Sequence, residues 1–178
     1  MKNTVLVWEI IGAVFIIAVG GFMHFAFEFS GGFTLVGVFA AVNESVYEHL
    51  KLGFWPAVFF IPLEYSFVKG KANNFMLGKT AAALIIPASI IGIFYLYSTI
   101  LGGDLLILDL ATFIIAVIIG QVAGYKILSY RMFSKRVERG AVIVLIVFMV
   151  VFPLLTFYPP EMFIFQDPVS GLYGIHCF

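Results

Sequence analysis

Apolar residues fill this chain in long runs, and its few polar positions divide those runs into helix-sized pieces. From Thr4 to about Phe27 only Glu9 and His24 interrupt the pattern. About 20 apolar residues cross a hydrocarbon core as a helix, so this run predicts a first span at 4–27. It is longer than a secretory h-region, and no small-residue cleavage site follows it. A retained helix is therefore expected. The next apolar run, Gly31 to Val42, has 12 residues. That is too short to span and predicts a re-entrant or interfacial segment.

A polar stretch follows, Asn43-Glu44-Ser45-Val46-Tyr47-Glu48-His49-Leu50-Lys51. Ser45 and Glu48 stand at capping-box spacing, with Asn43 as an alternative N-cap. A second span is predicted at 44–68, bent by Pro56 and Pro62. Three more follow at 80–101, 105–129 and 140–158, and Pro159-Pro160 ends the last. The tail, 159–178, carries Phe163, Phe165 and Tyr173 and reads as an amphipathic lid. The predicted fold is an all-α integral membrane domain over 1–178, with about five spans and the short segment before the second. Gly12, Gly20 and Gly21 are expected where helices approach closely, and Trp8 and Trp55 as interface anchors.

Composition agrees. The chain of 178 residues is 62% hydrophobic and 11% charged, with a mean hydropathy of +1.10. Soluble domains carry about a quarter charged residues. The formal net charge is zero, which leaves no basic surface for nucleic acid. Cys177 is the single cysteine, so no intrachain disulfide can form, and a free thiol is expected. With five spans, Lys2, Lys69, Lys71, Lys79, Lys126, Arg131, Lys135, Arg136 and Arg139 share one side. Lys51 stands alone on the other. Basic loops face the cytoplasm, so the N-terminus is expected inside and the C-terminus outside.

Charged groups inside a bilayer face a bundle interior or a wet cavity and are functional by default. One group is expected near the outer leaflet. His24 and Glu28 are four apart, as are Glu44 and Glu48, and each pair shares a helix face. Asn43, His49 and Lys51 lie beside them. Imidazole with carboxylate suits a divalent metal ion, and His24, Glu28, Glu44 and Glu48 form the expected ligand set. His49 is expected outside this set, beside Ser45 and facing the short segment or the C-terminal tail. A proton or substrate relay and a plain capping cluster use the same residues. Lys51, three residues beyond Glu48, is the rival to a metal as counter-charge. A second group, Glu9, Glu64 and Gln121, is expected at inner-leaflet depth. On the first helix Glu9, Ala13, Ile16, Gly20, His24 and Glu28 fall on one face. No P-loop, H-E-x-x-H, G-x-S-x-G or CxxC motif is present.

The stretch His24 to Gly31, then Val42-Asn43-Glu44-Ser45-Val46-Tyr47-Glu48-His49-Leu50-Lys51 and Phe54-Trp55-Pro56, resembles a family of small multi-pass prokaryotic membrane proteins of unknown function. The likeness covers roughly residues 22 to 66, with an echo at Gly171 to Ile175. It implies a bacterial or archaeal cell membrane and supplies no activity. The leading expectation is ion or small-solute binding or transport at the His/Glu cluster. A membrane-embedded metal-dependent hydrolase, with a metal on His24, Glu48 and His49, and a non-catalytic accessory protein are the alternatives. A divalent metal ion is the one cofactor the residues suggest, and its identity is left open. The expected partners are the lipid bilayer, an ion or small solute, and further copies of the chain.

Overall fold

The computed structural model describes residues 2–175; Cys177, with its expected free thiol, lies outside them. Five helices are described: α1 (Lys2–Phe29), α2 (Val46–Val68), α3 (Phe75–Leu101), α4 (Leu106–Leu128) and α5 (Lys135–Phe157). α1 over Asn3–Phe29, α3, α4 and α5 are each long and apolar enough to cross a membrane. Their outward faces are apolar: Val14, Phe22, Leu106, Ile107 and Ile143 are all exposed. That surface is favourable only against lipid or further protein.

α2 has the same 23 residues as α4 and α5, yet it is not among those four. It carries Glu48, His49, Lys51 and Glu64. Its first half is enclosed by the bundle, while Leu63, Tyr65 and Phe67 near its end are exposed. From Tyr47 to Val58 nearly every side chain is buried, Glu48 and Lys51 included. A helix whose polar groups are paired inside the bundle needs less apolar surface than one facing lipid.

Contacts between the ends fix the order of the bundle. Glu9 of α1, Glu64 at the end of α2 and Lys79 at the start of α3 meet at one end. Gln121, late in α4, joins them. Glu138, early in α5, accepts the Met76 amide of α3 at 2.9 Å. At the other end His24 lies against the start of α2, and Thr156, late in α5, meets Lys51 of α2. Successive helices therefore alternate in direction.

α3 and α4 pack through small residues. A Cβ at Gly78 would lie 1.9 Å from a Leu128 methyl, and one at Gly120 would lie 3.0 Å from the Ala82 carbonyl oxygen. Close backbone approach of this kind is what small-xxx-small spacing permits. Gly12 and Gly20 also sit at close approaches, to Gln121 and to the Leu52 carbonyl. Gly21 does not, because nothing lies within 4 Å of its added Cβ. Trp8 is half-buried and stacks on Phe67 at 4.2 Å. Trp55 is a core residue rather than an interface anchor, 3% exposed and edge-on to Phe39 and Phe54.

α3 begins at Phe75 and α5 at Lys135, each five residues before the expected apolar span. Asn74 takes the left-handed conformation and hydrogen-bonds the carbonyls of Ile127 and Arg131 and the amide of Phe133. Glu138 then accepts the open amides of Met76 and Leu77. These contacts stabilise a helix start that hydropathy does not mark. The 31–42 segment is a loop with one 3-10 turn, Val36–Val38. The tail forms a second such turn, Phe163–Phe165, and a single bridge between Gln166 and Tyr173. Phe165 is buried against Tyr47, and the Asn43 side-chain amide donates to the Gly174 carbonyl at 2.9 Å. The tail thus covers the start of α2.

Candidate functional site

Ser45 caps α2. Its Oγ accepts the Glu48 amide at 3.4 Å, and its own amide donates to Asn43 Oδ1 at 2.9 Å. The Glu48 carboxylate does not close the capping box. It accepts the Val42 amide at 3.0 Å and lies 2.6 Å from the Lys51 ammonium. Lys51, fully buried, also donates to the Gly37 carbonyl at 2.7 Å and to Thr156 Oγ1 at 2.9 Å. Thr156 donates in turn to Glu48 Oε1 at 2.9 Å. The ammonium makes two hydrogen bonds besides its ion contact, and both carboxylate oxygens accept hydrogen bonds. One positive and one negative charge cancel, so the pair needs no metal as counter-charge.

Glu44 goes elsewhere. His24 Nε2 lies 3.9 Å from its Oε1 and His49 Nε2 lies 3.5 Å from its Oε2. The imidazole centroids are 5.1 Å apart. One donor atom from each of the three residues falls within 4.8 Å of the others. The ligand set expected from the sequence is therefore divided. Glu48 belongs to Lys51, Glu28 is exposed, and His49 joins His24 and Glu44. His49 lies beside Ser45, its Nδ1 2.8 Å from the Ser45 carbonyl oxygen, but its Nε2 faces Glu44 rather than the short segment or the tail. A carbonyl only accepts, so Nδ1 carries the proton. In the neutral ring the Nε2 lone pair then faces Glu44. Metal-binding histidines are held this way, with the second nitrogen donating to a carbonyl or carboxylate. The donor separations exceed hydrogen-bond length, and ligands about 2.1 Å from a tetrahedral ion stand roughly 3.4 Å apart. Glu44, whose side chain is 52% exposed, has room to close the difference.

The tail borders this site. Asp167 is buried and accepts from Ser170 Oγ at 2.5 Å and from the amides of Val169 and Ser170. Burial pushes the Asp167 carboxyl up. The Ser170 hydroxyl and the Val169, Ser170 and Glu44 amides more than offset this and hold it below the ordinary aspartate value. The tail is thereby tied to the backbone that carries Glu44.

The second group assembles at the opposite end. Lys79 donates to Glu9 Oε1, and its ammonium lies 2.6 Å from Glu64 Oε2. All three side chains are at most 5% exposed. Gln121 does not touch the carboxylates. Its amide donates to the Glu9 backbone carbonyl at 3.0 Å. Lys79 is the residue that sequence reading misplaced, as a loop charge. Asn73-Asn74 before Phe75 was the available signal, since Asn precedes helices as a cap. Thr156 and Gly37 gave no signal, because their partner Lys51 stands 105 and 14 positions away.

No curated protein and no solved structure matches this chain. The His24–Ile175 features that carried the resemblance fall within a family match that extends over residues 1–175, and the chain belongs to that family, the family of unknown function DUF6512.

Proposed function

We propose that this protein crosses a cell membrane five times, with its N-terminus inside, and binds a divalent transition-metal ion outside through His24, Glu44 and His49. Helix alternation supports the fifth crossing: if α1 and α3 cross in one direction, α2 must return between them. The nine-to-one asymmetry of basic residues supports the orientation, although Lys79 is buried and its weight in that count is reduced. The observation that carries the metal reading is the bond from His49 Nδ1 to the Ser45 carbonyl, which aims Nε2 at Glu44 beside a second imidazole. Two nitrogens and one carboxylate suit zinc and its neighbours.

Ion binding, as the first step of uptake or sensing, is the reading preferred. An enzyme is the second reading. Three protein ligands leave a coordination position open for water, which is the arrangement of catalytic zinc sites. Titration of the purified, metal-stripped protein with Zn²⁺ in a calorimeter tests the site. One saturable equivalent is expected, abolished in His24→Ala/His49→Ala and retained in Glu28→Gln. Equal binding by the double variant, or no saturable binding by the parent, overturns the assignment.

A further inference from the structure

The Glu9–Glu64–Lys79 cluster has a charge count that its own side chains do not close. Two carboxylates and one ammonium meet between α1, α2 and α3, each almost fully buried. Fully ionised, the group would hold one net negative charge in the bundle interior. Among the described residues no other charge pairs with it. From α4 the facing groups are Gln121, committed to the Glu9 carbonyl, and Gly124, whose added Cβ would lie 3.6 Å from Glu9 Oε2. Tyr125 packs with the Val5, Val68 and Leu128 cluster. From α5, Glu138 is occupied by the amides of Met76 and Leu77. Lys69, Lys71 and Lys126 are exposed.

The oxygens show the same deficit. Glu9 Oε2 is buried and has no hydrogen-bond partner. Neither Glu64 oxygen has one either, because the contact of Glu64 with Lys79 lacks hydrogen-bond alignment. Two carboxylates that cannot both ionise cheaply share a proton. A sodium ion would also supply the missing charge, but the unpartnered oxygens there are Glu9 Oε2, Glu64 Oε1 and Glu64 Oε2, and a proton shared by two carboxylates needs no further ligand.

We propose that Glu9 and Glu64 form a proton-binding site that holds one exchangeable proton between them, with Lys79 fixed as the counter-charge of the ionised partner. The site stands on charge balance and burial and is independent of the metal reading. When the proton leaves, the cluster gains a net negative charge and becomes a receptor for the next proton. Three helices meet at it, so its protonation state is felt by all three.

Infrared titration of the full-length protein in nanodiscs tests this through the carbonyl stretch of a protonated carboxylic acid. At neutral pH the parent should show a band equal to one such group. Glu9→Gln and Glu64→Gln should each abolish it, because the single remaining carboxylate pairs with Lys79 and ionises. Lys79→Met should double it, because both acids then lose their counter-charge. Sodium should leave it unchanged. If the band is absent from the parent, survives both glutamine variants, or vanishes on adding sodium, the proposal is overturned. The glutamine variants retain a balanced ion pair and are expected to fold, so the outcome does not depend on Lys79→Met being stable.

Discussion

Among the described residues two lysines are buried, Lys51 and Lys79, and their surroundings differ. Lys51 meets one carboxylate, three residues away on the same helix, and both oxygens of that carboxylate accept hydrogen bonds. Lys79 meets two carboxylates from two other helices, and three of the four oxygens lack a hydrogen bond. The first cluster is neutral and closed and acts as a fastener, tying α2 to α5 and to the loop at Gly37. The second is short of one positive charge and can take up a proton. Burial does not distinguish them, since both are nearly inaccessible. Charge balance and hydrogen-bond satisfaction do.

The largest expected effect comes from removing one acid from each cluster. Glu48→Gln leaves Lys51 as a lone buried ammonium and should cost about 3–5 kcal/mol in unfolding measured by thermal scans in detergent. Glu64→Gln leaves one acid for one base and should change stability by about 1 kcal/mol or less. Equal losses would erase the distinction. Thr156→Val is the next test. It removes a hydroxyl that both receives from Lys51 and donates to Glu48, and it should cost about 2 kcal/mol. A neutral result would mean that the first cluster is wetter than its geometry implies.

The smallest effect concerns the tail that covers the closed end. Asp167→Asn should cost about 1 kcal/mol and release the tail, read as faster amide exchange at residues 169–172. The sign with pH follows from the lowered Asp167 value. A depressed acid stabilises the fold above its unfolded value, about 3.9, and that stability is lost as pH falls through the folded value. The parent tail should therefore stay docked at pH 5 and loosen only well below pH 4. In Asp167→Asn this step should vanish. Loosening of the parent near pH 6 would overturn the assignment of this step to Asp167.

Hydropathy and spacing determined much of this protein. Long apolar runs with no alternative solvent than lipid dictate helices, and all five appear close to their expected positions. Ser45 capped α2 because capping is local, set within three residues. The face shared by Glu9, Ile16, Gly20 and His24 turned inward through Gly20 because helix periodicity alone sets it. The partners of the charged residues were decided only by the folded bundle. Glu44 and Glu48 share a face by spacing, yet one turned to the imidazoles of His24 and His49 and the other to Lys51. What separated them was a carbonyl from Gly37 and a hydroxyl from Thr156, supplied by a loop and by α5. Lys79 looked like a loop charge because hydropathy averages over a window. Asn74 and Glu138 start the helix earlier, carry Lys79 inside, and place it between two acids whose own positions on α1 and α2 name no partner. An ion pair forms where distance is short and water is excluded, and both conditions arise only once the helices are packed against one another.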